Sequence, residues 1–482
     1  MANEGTSAPT PGYTPPSSII IIGSGVFGLS TAQALTQRPA FASTTITLVD
    51  RITSKKEGDL PSGDAASMDS SRIVRADYAD GLYARLAAEA QEVWRQQGAG
   101  ELGGEGRYSE SGLLVVGEEG NEEGMGYVKG SFANVLDIAR EKGYEDKIVE
   151  VGSAEKLKEL LGTGEGEKVG DWGYLNRTSG WADAARGVEW LLGKVKATGR
   201  VQFVNGTVER LVRDDEKGVV KGVRLSDGRT LEAELVVVAA GAWTGTLVDL
   251  KGLATATGQV LAYLDLSEEE QEKLGNMPVV LNLCSGLFII PPRNRVLKAA
   301  RHAYGYLNPV DIPAENLLPK NVPNGSGSTD ATSTTIRVSA PKTLVDSPSL
   351  GLPLEAELDL RRALKQFIPI KAIHDRPFTA SRICWYSDTP DGDFLVDYHP
   401  SWKGVFVATG DSGHGYKFLP VLGEKIVDCI AGEGSEAVRE KWKWKESGKI
   451  SVVDGIDAVV TEDGSRGGSP GMLLDRELER RA

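Results

Sequence analysis

The chain has 482 residues, 40% of them hydrophobic and 25% charged, an ordinary balance for a soluble globular protein large enough for two or more domains. Its 54 lysines and arginines stand against 68 acids, a formal charge of −14, so the averaged field repels nucleic acid and anionic membranes, and any bound anion must meet a local cationic pocket. Three cysteines, at 284, 384 and 429, suit neither a disulfide framework nor a CxxC metal site, which points to a reducing compartment and to no metal.

The opening MANEGTSAPTPGYTPP lacks a basic segment followed by an apolar one, and nowhere do about 18 uncharged apolar residues run together. Neither secretion nor a membrane span is expected, and the cytoplasm is the expected location. Residues 1–17 are rich in Pro, Ser, Thr and Gly, cannot bury enough apolar surface to offset their ordering, and read as a loose tail.

The first structured unit is SSIIIIGSGVFGLSTAQALTQ. Four consecutive isoleucines suit a strand buried on both faces of a parallel sheet. Gly23, Ser24, Gly25, Val26, Phe27 and Gly28 then open a helix with Leu29, Ala32 and Leu35 on its apolar face. A second strand, TTITLVD, ends in Asp50, 22 residues beyond Gly28. Strand, glycine loop, helix, strand and terminal acid in one unit predict a dinucleotide site. The glycines permit a tight turn and close approach of a pyrophosphate to the helix N-terminus, and Asp50 accepts from the adenosine ribose hydroxyls.

Two later segments, 231–247 and 404–430, are buried strands of the same kind, which suggests one nucleotide-binding domain interrupted by insertions. Segments 107–117 and 285–307 alternate and read as antiparallel strands of a second domain. The expected division is a tail at 1–17; a nucleotide-binding domain at 18–100, 182–255 and 375–445; a second domain at 101–181 and 256–374; and an extension at 446–482. Residues 320–336 read as an exposed insertion, and the stretch from Gly464 as a flexible linker before a short charged helix. The terminal Arg-Arg-Ala is not a peroxisomal signal.

Residues 382–394, RICWYSDTPDGDF, raise the question of what Cys384 does with no cysteine nearby. On position alone a small buried hydrophobe is the commoner fate of such a residue. An adjacent cation such as Arg382 would instead lower its thiol pKa and make it a nucleophile.

Six blocks in order, GSGVFG with Asp50, SSRIVRADY (70–78), AAGAW (239–243), LKAARH (297–302), CWYSDTPDGDFLVDYHP (384–400) and GDSGHGYKF (410–418), resemble the FAD-dependent amine oxidases of the monomeric sarcosine oxidase type. That group includes fungal fructosyl amino acid, saccharopine and pipecolate oxidases, and the resemblance covers most of residues 18–432. It implies an α/β fold, a Rossmann-type FAD-binding domain interleaved with an antiparallel-sheet substrate domain. FAD is implied as a covalent cofactor, its ring bonded at the 8α carbon to the sulfur of Cys384. Cys284 and Cys429 keep the bland reading.

The resemblance also implies roles. Lys298 lies against the flavin N5 and its charge helps O₂ accept an electron. His302 stands near the substrate amine, a structural hydrogen-bonding role being equally open. Arg75 and Lys417 clamp the substrate carboxylate, a fork and a point charge. Arg72 packs over the flavin and Ser71 contacts the cofactor phosphates. Backbone N–H groups of Ser412, Gly413, His414 and Gly415 at a helix start face the flavin pyrimidine oxygen, and Arg51, Val208 and Asp411 complete the cofactor set. Where fructosyl amino acid oxidases carry acidic residues after the lysine, this chain has Ala-Ala-Arg-His, closer to the saccharopine or pipecolate type.

The implied reaction oxidises the C–N bond of a neutral secondary amine to an imine and reduces O₂ to H₂O₂, in a monomer acting on small-molecule amines or amino acids. An amine dehydrogenase with another electron acceptor, an amino-acid tailoring oxidase and a nucleotide-binding scaffold without chemistry are the alternatives; H₂O₂ yield per turnover separates the first.

Overall fold

The computed structural model describes residues 13–51, 61–164, 166–318 and 334–481. The first twelve residues of the expected tail, and the expected insertion as far as 333, lie outside this set.

The isoleucine run forms the strand Ser18–Ile22 in a six-stranded sheet, ordered Leu395–Tyr398, Val405–Thr409, Leu235–Val238, Ser18–Ile22, Thr45–Asp50, Val201–Asn205. All neighbours are parallel except the first pair. The isoleucines alternate between two cores, as a period of two requires. Ile19 and Ile21 face the helices Val26–Gln37, Ala184–Ala197 and Leu422–Ala431, whereas Ile20 and Ile22 pack against Val220, Val223 and Leu225 of a small antiparallel sheet. One face is thus covered by helices and the other by strands. At the strand's end Gly23 takes φ +102° with Ala239 O only 2.4 Å from where a Cβ would stand, and a Cβ on Gly28 would lie 1.9 Å from Gly23 O. Any side chain at either place would push strand and helix apart.

The second sheet is built around the long strand Thr255–Asp265, flanked by Ala380–Asp388 and Val296–Arg301, all antiparallel. It continues through Leu287–Arg293 and Val279–Asn282 to Leu113–Gly117, a parallel pairing, so this sheet is mixed rather than wholly antiparallel. Its rear face packs Val260, Ala262, Leu297, Ala299 and Trp385 on Leu360, Leu364 and Phe367 of the helix Leu354–Phe367. Arg301 pins that helix through Glu355 and Asp359 at 2.8 and 2.6 Å. Truncating the fully buried Phe367 to Ala would cost about 3–5 kcal/mol.

The strand Ala380–Asp388, inside the segment expected for the nucleotide domain, belongs to this second sheet, so Cys384 sits on the seam between the two sheets. The expected linker from Gly464 is a correction. Ser465 and Arg466 are buried, because the guanidinium finds Asp388 at 2.7 Å and the carbonyl of Ser412 at 3.0 Å. The charged helix follows as expected at Leu474–Glu479. Tyr13 packs on Phe41 and Ser17 N donates to Glu234, so the last residues of the expected tail are docked. No helix among the described residues is long and apolar enough to cross a membrane.

Candidate active site

A cavity of about 270 Å³ starts at the glycine loop and runs between the two sheets to Tyr416. Gly23, Gly25, Val26, Phe27, Asp50, Arg51, Val208, Asp411 and Gly415 line it, and Phe27 stands against Gly415. Ser24 and Gly28 lie behind the wall: Ser24 is buried and donates from N and Oγ to Asp50, fixing the acid at the strand tip. Burial raises the Asp50 carboxyl, and the Ser24 hydrogen bonds oppose the rise. Arg51 stacks over Trp243, 5.1 Å from the ring centroid, a contact that the AAGAW block contained without revealing. Tyr416 also lines a second chamber of about 80 Å³ whose walls carry Arg72, Arg75, Lys298, His302, Cys384 and Lys417. A passage with glycine backbone and a buried acid at one end, and a thiol among cations at the other, fits a dinucleotide carrying a flat ring system.

Strand alternation sets the chamber wall. Gln259 pairs with Cys384, Leu261 with Arg382, and Tyr263 with Lys298, so these residues share one face of the sheet. Their hub is Asp69, which sequence reading missed. Its carboxylate is wholly buried and takes Lys298 Nζ at 2.7 Å, Arg72, Tyr263 Oη and the Ser70 N–H at 2.6 Å. Burial alone would raise the Asp69 carboxyl, but Lys298, Arg72 and Arg382 hold it well below the usual range. Burial pulls Lys298 down and Asp69 opposes, leaving its ammonium at about 8. With 3% exposure Lys298 is no solvated strand lysine.

The cation beside Cys384 is Arg72, whose Nη2 lies 3.2 Å from Sγ; Arg382 instead donates to the carbonyls of Met68 and Ala65, which corrects the neighbour expected from sequence. Ser71 lines neither cavity, and its contribution is a carbonyl that accepts from Lys298 at 2.8 Å.

Arg75 and Lys417 meet on one tyrosine: the guanidinium lies 4.7 Å and the ammonium 5.1 Å from the Tyr78 ring centroid.

 In the chain they stand 342 residues apart, at positions 75 and 417. Lys417 Nζ donates to Tyr78 Oη at 2.7 Å and to the His414 carbonyl at 2.8 Å, and neither cation has an ion pair among the described residues. Arg75 is 6% exposed and its Nη1 has no hydrogen-bond partner. Tyr78 Oη lies 3.1 Å from His414 Nδ1, and His414 Nε2 lies 2.8 Å from the Gly392 carbonyl. The neighbouring Asp77 does not neutralise the pair, because its oxygens are taken by Tyr174, Asn176 and Ser179.

His302 is held by the C-terminal extension. Nε2 lies 3.3 Å from Ser465 Oγ, and Nδ1 lies 3.3 Å from Arg466 Nη1. Burial first, then the guanidiniums of Arg466 and Arg75, press this ring well below its ordinary pKa, so it is neutral. The loop Ser412 to Gly415 does not open an α-helix as expected. Ser412 takes φ 41° and Gly413 φ 72°, a short turn follows at Tyr416–Phe418, and the helix begins only at Leu422. Asp411 fixes that loop by accepting from the Ser387 and Gly413 N–H groups, and burial raises its carboxyl to about 6. A Cβ on Gly413 would stand 2.2 Å from the Tyr386 ring, so only glycine lets backbone and ring meet there.

Residues 18–429 match the family model described as FAD dependent oxidoreductase. The chain is 34% identical to the amino acid oxidase fsqB of Aspergillus fumigatus, over 88% of this chain and 94% of that protein. It is 30% identical to the L-saccharopine oxidase of Schizosaccharomyces pombe, over 92% and 99% respectively. The solved structure of fructosamine oxidase (Amadoriase II) from Aspergillus fumigatus is 27% identical and superposes with a TM-score of 0.71, over 95% of this chain and 94% of that one. With matches that run nearly end to end and a passage shaped for a dinucleotide, the chain belongs to the FAD-dependent oxidoreductase family.

Proposed function

We propose that the protein is an oxidase of N-substituted or cyclic amino acids. It oxidises the C–N bond of a secondary amine next to a carboxylate to an imine, which water hydrolyses, while O₂ is reduced to H₂O₂. FAD, when bound, supplies the acceptor for the electron pair and its transfer to O₂.

The observation that carries this reading is the pair of buried basic side chains, Arg75 and Lys417, that face the Cys384 chamber with no ion-pair partner among the described residues. A desolvated cation pair is costly unless an anion joins it, and an amino-acid carboxylate supplies two oxygens for a fork and a point charge. The relatives' names, oxidases of amino acids and of a fructosamine, support an amino-acid-derived amine. In this reading the glycine loop with Asp50, Arg51 and Val208 holds the adenosine and pyrophosphate half. Cys384 bonds the ring through sulfur, with Arg72 as the cation beside it, and Gly413, His414, Gly415 and Asp411 shape the pyrimidine end. Lys298, kept charged by Asp69, favours the developing negative charge on oxygen.

Anaerobic mixing of the yellow protein with N-alkyl amino acids, cyclic imino acids, saccharopine and fructosyl amino acids tests the reading. Bleaching is expected for carboxylate-bearing secondary amines, and equal bleaching by amines without a carboxylate would overturn it. Acid-precipitated protein should stay yellow, and Cys384→Ser should release the colour to the supernatant.

A further inference from the structure

Lys417 is surrounded on every side by groups that are neutral or cationic. The Arg75 guanidinium shares the Tyr78 ring with it, His414 hydrogen-bonds the same phenol, Phe418 lies 5.4 Å from Nζ, and the Trp94 indole is tied to its carbonyl. The two carboxylates that act on it from farther away, Asp77 and Asp411, are already engaged by hydroxyl, amide and backbone donors. Two desolvated like charges on one ring repel, and losing a proton removes the repulsion. Only the lysine can lose one, since a guanidinium keeps its proton in proteins. Burial first, and then Arg75, push the Lys417 ammonium well below its ordinary value. The local hydrogen bonds are complete without the third proton: two N–H groups serve Tyr78 Oη and the His414 carbonyl, leaving a lone pair on Nζ.

We propose that Lys417 is the proton acceptor of the site: neutral in the free enzyme, it takes the proton of the substrate ammonium as the zwitterion binds, and the resulting lysine cation pairs with the substrate carboxylate. The exchange balances, since R₂NH₂⁺ and the Lys417 amine become R₂NH and the Lys417 ammonium, and no proton passes to solvent. The carboxylate raises the affinity of Lys417 for the proton, while Arg75 lowers that of the neighbouring substrate amine. The amine thereby gains the lone pair that C–N oxidation needs. This inference rests on the oxidase reading and alters two points of it: Lys417 becomes a cation only as the substrate binds, and the substrate enters as the zwitterion that prevails in neutral solution, not as the scarce neutral amine.

The test counts protons on the flavin-loaded protein, by calorimetry in two buffers of different ionisation enthalpy. Propionate, which has no amine, should take up one proton per site, and so should trimethylglycine. α-Aminoisobutyrate, a zwitterion with no α-hydrogen to lose, should take up none. In Lys417→Arg the uptake with propionate should vanish. Flavin reduction by true substrates at neutral pH should then slow about 100-fold and recover as the pH rises through the amine's own ionisation. Propionate binding to the wild type without proton uptake overturns the proposal. So does undiminished uptake in the arginine variant, which assigns the proton to His302 or His414. Should that variant lose its flavin, the three wild-type counts decide alone. An enzyme that N-substituted amino acids reduce but no carboxylate ligand binds also overturns it. One that none of them reduces overturns the oxidase reading instead, and the propionate count still judges Lys417.

Discussion

Two buried lysines line one chamber, and the chain surrounds them in opposite ways. Lys298 lies 2.7 Å from a carboxylate that it shares with Arg72, and its ammonium stays at about 8. Lys417 has a phenol, a carbonyl and a second cation, and burial with Arg75 pushes its ammonium well below the ordinary value. Burial is nearly the same, 3% and 4% exposed, so the counterion makes the difference. A charge that the protein itself pairs is present before any ligand binds, at pH below about 8, and in the proposed reading it serves a step in which no ligand arrives with charge, the reduction of O₂. A lysine left without a counterion gains its charge, in the proposed reading, only with an anion that comes with the substrate.

The comparison breaks most visibly at Arg75. Replacing it with Met removes the charge-assisted fork, and kcat/KM for carboxylate substrates should fall by about 10²–10³-fold, equivalent to about 3–4 kcal/mol. Reoxidation of the reduced enzyme should be unchanged, and Arg75→Lys should recover only part of the loss because a point charge cannot grip two oxygens. Steady-state kinetics on substrates with and without the carboxylate measure this; an equal loss on both would show that Arg75 is structural.

Next in size, Lys298→Met should slow reoxidation about 100-fold while anaerobic reduction holds, as separate stopped-flow phases would show. The partner residue sharpens the point. Asp69 raises the Lys298 ammonium, so in Asp69→Asn that value falls below about 8. If the Lys298 charge serves the oxygen step, that step is present below the Lys298 value and lost as pH rises through it, so its profile should move to lower pH, slowing reoxidation about tenfold in mildly alkaline buffer. A profile that does not move would separate Lys298 from the oxygen step.

The nucleotide half of this arrangement was legible because its signals are local. Glycines, a buried strand and a terminal acid fall within one βαβ unit. The counterions were not legible. Asp69 is one acid in SGDAASMDS, and the lysine that explains it lies 229 residues away. Tyr78 stood inside a recognised block, yet a tyrosine acquires its role only when cations from two distant segments share its ring. Arg466 was hidden by glycine and serine neighbours, whose composition reports backbone entropy and says nothing of Asp388 waiting in the second sheet.

The smallest effect concerns His302, which stands between the two lysines' regimes as a buried group that is neutral and already bonded at both nitrogens. Arginine has no acceptor, so Nδ1 must accept from Arg466, and the ring proton sits on Nε2, donated to Ser465, whose hydroxyl passes on to Asp463 at 2.7 Å. With its lone pair so engaged the ring positions its surroundings and is not a free base. Ser465→Ala removes one neutral hydrogen bond, worth about 1 kcal/mol, so kcat/KM should fall no more than about fivefold. The pH profile of flavin reduction should keep its shape. Loss of an ionisation from that profile would make His302 the base after all, and would return Lys417 to the role of a fixed charge.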